Sequence, residues 1–319
     1  MLMSACAVAP GVETAAAGAG EPVALRLELA PPAHGLQLST HGVLIEPGED
    51  IRWCEVLQLP GSPEQTYHVG RVESAMTDHG RDLIVSAAEP LSETAEIMDV
   101  GSRVPCTRAG DTFGEALEEV TSSQQPYLDQ RFPDGVGKLF RGGQKVAVDY
   151  HYVNDTDEPV VAGARINLHF ATNVERLART ASFSNYTIYT PPGGWSSHLG
   201  ECTVQHDLSI AELVRRTQRH GTSFRVWRMG GEHDGELLWN SLEWQDNRFE
   251  PAEPLELRAG EGFRFQCDFV NAGQTDLRYG VTAQDETCGL NAVYWTDDAN
   301  DAPTEGCMLF AVDADGIAR

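Results

Sequence analysis

Short runs of alternating apolar and polar residues, broken by Gly, Pro, Asn and Asp, begin near residue 24 and continue through most of the chain. Successive side chains of a strand point to opposite faces, so each run predicts a half-buried strand. QKVAVDYHYVN puts Val146, Val148, Tyr150 and Tyr152 on one face and Ala147, Asp149, His151 and Val153 on the other. Beyond the turn-rich NDTDEP, ARINLHF aligns Ala164, Ile166, Leu168 and Phe170, and the two runs read as an antiparallel pair. GFRFQCDFVN aligns Phe263, Phe265, Cys267 and Phe269, while TSFRVW and ELLWNSLEW flank the polar GGEHDG loop as a long hairpin. Many short strands with frequent turn signals predict sandwiches rather than a parallel sheet.

Helical spacing is confined to two segments. One is GEALEEV, residues 114–120; the other is SIAELVRRTQRH, residues 209–220, where Ile210, Leu213, Val214 and Thr217 recur at helical intervals. Residues 7–23 are rich in Ala, Gly and Pro and read as a flexible tether. A chain of 319 residues exceeds one ordinary core. The expected division is therefore a signal remnant and tether over 1–23, a first sandwich over 24–172 and a second over 173–319.

Charge narrows the function classes. Lys and Arg number 23 against 48 Asp and Glu, a formal net charge of -25. Such a surface repels phosphate backbones and anionic headgroups, which excludes nucleic-acid binding and a polybasic membrane role. No run approaches the roughly 20 apolar residues of a membrane-spanning helix. Partners are thus narrowed to a protein or a small molecule, with membrane contact only through a lipid anchor. Of the seven cysteines, none forms a C-x-x-C pair. The odd total predicts three disulfides plus one special thiol, in an oxidising compartment. Cys6 is the odd one. Met1-Leu2-Met3-Ser4-Ala5-Cys6 resembles the end of a bacterial lipoprotein signal whose start lies upstream, which predicts acylation of Cys6 and a secreted or cell-envelope location. The competing reading is a frayed terminus with a chance cysteine.

Generic site motifs are absent: the chain has no G-x-S-x-G, H-E-x-x-H, P-loop or dinucleotide fingerprint. Its histidines, among them His79, His151, His169, His198, His206, His220 and His233, form no His-x-His or adjacent pair. The adjacent carboxylates Asp285 and Glu286 read as a solvated edge in so acidic a chain. Trp227, Trp239, Trp244 and Trp295 read as core or inter-sheet filler.

Several segments, taken in order, carry a resemblance: EPGEDIRWCEVLQLPG, DLIVSA and YHYVN in the first half; GECTV, HGTSFRVW, LEWQDNRFEP, FRFQCDFVN, YGVTAQDETC and VYW in the second. Together, from about residue 36 to residue 312, they resemble the copper type II, ascorbate-dependent monooxygenases, the family of peptidylglycine α-hydroxylating and dopamine β-monooxygenases. The resemblance implies two jelly-roll-like antiparallel β-sandwiches packed side by side. It also implies disulfides Cys54–Cys106, Cys202–Cys307 and Cys267–Cys288, leaving Cys6 over.

Members of that family hydroxylate a C–H carbon with O2, two coppers and ascorbate. One copper is held by a His-His pair and a third His, the other by His-x-His and a Met; imidazole suits both oxidation states, and a thioether favours Cu(I). Carried across, the His-His pair falls on Arg81 and Asp82, while the third histidine matches His151. The His-x-His falls on Arg216 and Gln218, and the methionine on Thr287. Five of six ligand positions are substituted. The expectation is a non-catalytic member with no cofactor, a binding or structural module on a retained scaffold. The alternative is an active copper-dependent monooxygenase with relocated ligands, or another chemistry in the cleft drawn from His79, His151, His198 and Asp285.

Overall fold

The computed structural model describes residues 23–106, 109–114, 116–280, 282, 284–297 and 306–309. Cys6 and the tether lie outside the described residues. The chain is all-β, two jelly-roll-like sandwiches packed side by side, with mostly antiparallel pairing. Within the first, the sheet containing Gly35–Ser39, Ala164–Phe170, Thr66–Met76 and Gly135–Arg141 packs over the sheet containing Asp50–Gln58, Lys145–Val153, Gly80–Ala88 and Leu117–Ser123. The second pairs the sheet of Leu208–Arg216, Cys288–Trp295 and Arg179–Asn185 with that of Trp195–Thr203, Gly262–Val270, Gly221–Met229 and Leu237–Ser241. Val174–Leu177 joins the first sandwich, in parallel with Gly135–Arg141, and Arg179–Asn185 the second.

Burial follows the sequence pattern. Val146, Val148, Tyr150 and Tyr152 fill the first core, and Phe263, Phe265, Cys267 and Phe269 the second. The opposite face of Lys145–Val153 is also buried, with Asp149 and His151 at 0% and 1% exposure, because it turns toward the second sandwich. Val293 and Trp295 of the second half in turn pack into the first core. Gln124 Nε2 donates to Thr217 O, Gln125 Nε2 to Gln245 O and Gln130 Nε2 to Glu212 across the same junction. The expected hairpin is present, Gly221–Met229 pairing with Leu237–Ser241. Its turn uses left-handed Gly230 and Gly231, at φ 80° and 66°.

All three expected disulfides form: Cys54–Cys106, Cys202–Cys307 and Cys267–Cys288. Three such bonds suggest an oxidising compartment, where disulfides form and persist.

Three sequence expectations are corrected. Residues 209–220 are not a helix, since Leu208–Arg216 is a strand. A bulge between Ile210 and Glu212 lets Leu208, Ile210 and Leu213 all face the core. That single extra residue reproduces the i, i+3 spacing of a helix. Residues 114–120 are likewise not helical, for Leu117–Ser123 pairs with Gly80–Ala88. Helix propensity is a weak prior, and here the glutamates gain tertiary partners: Glu118 meets Lys138 of the same sandwich and Arg179 of the second, and Glu119 meets Asn291 across the junction. Finally, Lys145–Val153 and Ala164–Phe170 do not pair with each other. The intervening Val160–Ala162 pairs with Val43–Ile45, and the chain crosses to the opposite sheet. Asn154 fixes that crossing by donating to Ile45 O and Glu158 O.

Candidate functional site

The junction between the sandwiches is the candidate site, because buried charge collects there. On the first sheet, cross-strand register places Arg52, His151 and Asp82 in one row, and Asp149 two residues along the central strand. Arg52 Nη1 and Nη2 donate to the two oxygens of Asp82 at 3.0 and 3.1 Å, and Nη2 also donates to Asp149 Oδ2 at 3.0 Å. Its Nε lies 2.8 Å from Asp149 Oδ1, close enough for an ion pair though not aligned as a hydrogen bond. A planar guanidinium suits this double clamp.

Two carboxylates sharing one cation do not titrate alike. Burial would raise Asp82, but Arg52, helped by Arg216 and His151, more than reverses that and holds it at about 2. Asp149 is pushed upward, by burial first and by the Asp82 charge, with Arg52 only partly opposing. Arg52 itself is raised: burial lowers it, and Asp82 and Asp149 overcome this. Of the pair, Asp149 is where a proton settles first.

His151 Nε2 lies 2.7 Å from Asp50 Oδ1, and its Nδ1 is buried without a hydrogen-bond partner. Arg81 turns outward to Asp155, Nη2 to Oδ2 at 3.1 Å. Arg81, Asp82, His151 and Gln218 line one small crevice of about 20 Å³, enough for about one water. Gln218 Nε2 donates to Gly280 O at 3.2 Å. Arg216 and Thr287 lie apart from these, on neighbouring elements, with Thr287 Oγ1 donating to Arg216 O at 3.1 Å. They line a second, larger cavity of about 140 Å³ between the two sandwiches. The six positions thus fall at the junction, in two groups.

Glu286 departs from its expected place on a solvated edge: it is fully buried. Its carboxylate accepts backbone N–H bonds from Gln218 and His220 at 2.7 Å each and from Thr287 at 3.2 Å. Burial pushes it up to about 7, against the pull of those donors and of Arg215. Arg215, also fully buried, donates to Thr217 Oγ1, Ser241 Oγ and Glu243 O. Burial lowers it to about 10, with Glu286 and Asp246 opposing. Among the tryptophans, Trp239 and Trp295 are core, while Trp227 and Trp244 are half-buried.

Does this donor set suit copper? His151 is the one imidazole at the six positions, and no thioether stands beside it. Among the described residues, the sole tight grouping of three metal-ligating side chains is Cys54, Cys106 and Asp149, and those cysteines are spent in a disulfide. The residues present do not fit a pair of copper centres with imidazole and thioether ligands.

Sequence reading did not single out Arg52, Glu119, Glu286 or Asn291 as site residues. For Arg52 and Asp149 a signal existed: each is a charged residue flanked by apolar or aromatic neighbours within a strand-like run.

No family model matches the chain. Among solved structures it is similar to the major capsid protein P2 from bacteriophage PM2, at 6% identity over 84% of this chain and 95% of that one, with a TM-score of 0.27. It is also similar to the PBSX exported protein XepA, at 12% identity over 92% of this chain and 100% of that one, TM-score 0.20. A third is the infectious bursal disease virus VP2 subviral particle, at 12% identity over 88% and 76%, TM-score 0.20. Superpositions this loose carry no argument about what the present chain does.

Proposed function

We propose that this chain is a divergent, non-catalytic relative of the copper type II monooxygenases: an envelope lipoprotein that keeps the two-sandwich scaffold as a binding or structural module. One observation carries the reading. The side chains standing where that family has ligands are engaged with the protein itself: Asp82 with Arg52, Arg81 with Asp155, Gln218 with Gly280 O and Thr287 with Arg216 O. A scaffold needs the three disulfides and the packed cores, whereas only the redox chemistry needs the imidazoles. The charge of -25 directs the module toward a protein or small-molecule ligand and away from nucleic acid.

The alternative, an active copper enzyme with relocated ligands, draws on one feature. His151 is oriented by Asp50 and leaves Nδ1 without a partner, the posture of a carboxylate-backed metal ligand. One nitrogen supplies a single bond where the family's site uses three. The reading is tested by incubating the purified protein with copper, ascorbate, O2 and N-acylglycine or phenethylamine substrates. The expected result is ascorbate oxidation no faster than with free copper and no hydroxylated product; copper-dependent product formation overturns the proposal.

A further inference from the structure

The larger cavity between the sandwiches has a floor set by one glycine. Register places Arg216, Gly289 and Ser184 in one row of the second sandwich's sheet, with Asn291 two residues along. A Cβ on Gly289 would sit 3.1 Å from Phe183 O, 3.3 Å from Arg216 Cβ and 3.3 Å from Ser184 Oγ, so a side chain there would fill the floor. The opposite wall is the first sandwich's sheet, carrying Asp149 and Glu119. The volume, about 140 Å³, holds on the order of ten waters at roughly 10–15 Å³ each.

This cavity holds a half-buried cation and one buried acceptor whose hydrogen-bonding demand is unmet. Arg216 is half-buried, its charge is felt by Asp82 and Asp149, and among the described residues its guanidinium donates no hydrogen bond, so it is open to an acceptor that enters the cavity. Asn291 is 3% exposed. Its amide is oriented by Glu119, to which Nδ2 donates at 3.0 Å, and this leaves the buried Oδ1 without a donor. Buried polar atoms are paired in folded proteins as a rule, so Asn291 Oδ1 asks for a donor. Charge points the same way. Arg52 and Arg216 balance Asp82 and Asp149, with Glu119 over, so a ligand of large net charge is disfavoured while one carrying both signs is not.

We infer that this cavity binds a small free α-amino acid as its zwitterion. The ligand's carboxylate would pair with Arg216, and its ammonium would donate to Asn291 Oδ1 and Glu119. The inference rests on the non-catalytic reading above and supplies the ligand class of that module. Both ends are required: an N-acylglycine has no ammonium, and an alkylamine has no carboxylate.

The test is calorimetric titration and thermal melting of the full chain in chelator with glycine, alanine or serine, against N-acetylglycine and ethylamine. A saturable one-to-one isotherm and a raised melting midpoint are expected for a free amino acid, with tenfold or weaker binding for both blocked probes. Arg216→Gln and Gly289→Ala should each weaken binding at least tenfold. Arg216 is half-buried, so its replacement leaves the fold intact for the measurement even if the glycine variant melts early. Equal binding of a blocked probe, undiminished binding by both variants, or no binding of any free amino acid at tens of millimolar overturns the inference. Copper is sequestered throughout, so none of these outcomes bears on the non-catalytic reading, and a positive copper titration would overturn that reading alone.

Discussion

Arg52→Met removes the one cation that two buried carboxylates share. Asp82 and Asp149 have side-chain exposures of 11% and 0%, and Arg52 donates three hydrogen bonds to them. Taking away one partner of a buried ion cluster costs about 3–5 kcal/mol, most of it the penalty of the charge left behind. A carboxyl held at about 2 in place of 3.8 is consistent: at 1.36 kcal/mol per pH unit, the ionised Asp82 is favoured by about 2.4 kcal/mol. The sign with pH then differs between the proteins. In the wild type the Asp82 contribution is present above about pH 4 and fades as pH falls toward 2. In the variant both carboxyls rise, so protonation relieves the strain as pH falls. Urea unfolding should show a deficit of about 3–5 kcal/mol at pH 7 that shrinks markedly by pH 4.5. The triple variant Arg52→Met, Asp82→Asn, Asp149→Asn should recover most of the loss. A deficit below about 1 kcal/mol, the scale of an exposed pair, or one that ignores pH, refutes the buried-cluster account.

Glu286, raised from 4.5 to about 7, favours the folded state below pH 4.5, and that contribution is lost as pH rises through 7. Chemical denaturation between pH 4.5 and 7.5 should therefore show a downward slope worth up to about 3 kcal/mol that Glu286→Gln flattens. The loops closed by Cys202–Cys307 and Cys267–Cys288 span 105 and 21 residues. Chain entropy makes the longer one worth about 1.4 kcal/mol more, so paired Ala replacements should lower the urea midpoint further at the first bridge than at the second. On the lipoprotein reading proposed above, Cys6→Ser should shift the protein from the membrane to the soluble fraction, because acyl chains would be what holds it there; unchanged fractionation rejects the lipid anchor.

The strands were legible wherever one face was apolar and the other polar, as in Gly262–Val270 with Phe263, Phe265 and Phe269 inward. They were misread where tertiary structure altered the period. The bulge after Ile210 imitated a helix, and the glutamates of Leu117–Ser123 suggested one until Lys138 of the same sandwich and Arg179 and Asn291 of the second supplied their partners. The disulfide pairing entered through family resemblance, since cysteine spacing alone leaves the connectivity open. The site was less legible. His151 stood out through the family resemblance alone, as the second residue of YHYVN and the one ligand position that keeps its histidine. Arg52 and Asp82 come from strands 30 residues apart, and only the sheet register brings them into one row. Gly289 and Asn291 carry no motif; their meaning lies in the space and the unmet bond that folding leaves around them.

Calorimetric titration with Cu(II), and with Cu(I) under anaerobic conditions, tests the central claim most directly, on the wild type and on His151→Ala. His151 offers one imidazole beside Asp50, and Arg216, Gln218 and Thr287 offer no imidazole or thioether. The account predicts no stoichiometric site for either ion and heats no greater than an acidic surface gives, with wild type and variant superimposable. Two stoichiometric sites of sub-micromolar affinity, one of them lost in His151→Ala, would contradict it and restore a copper monooxygenase.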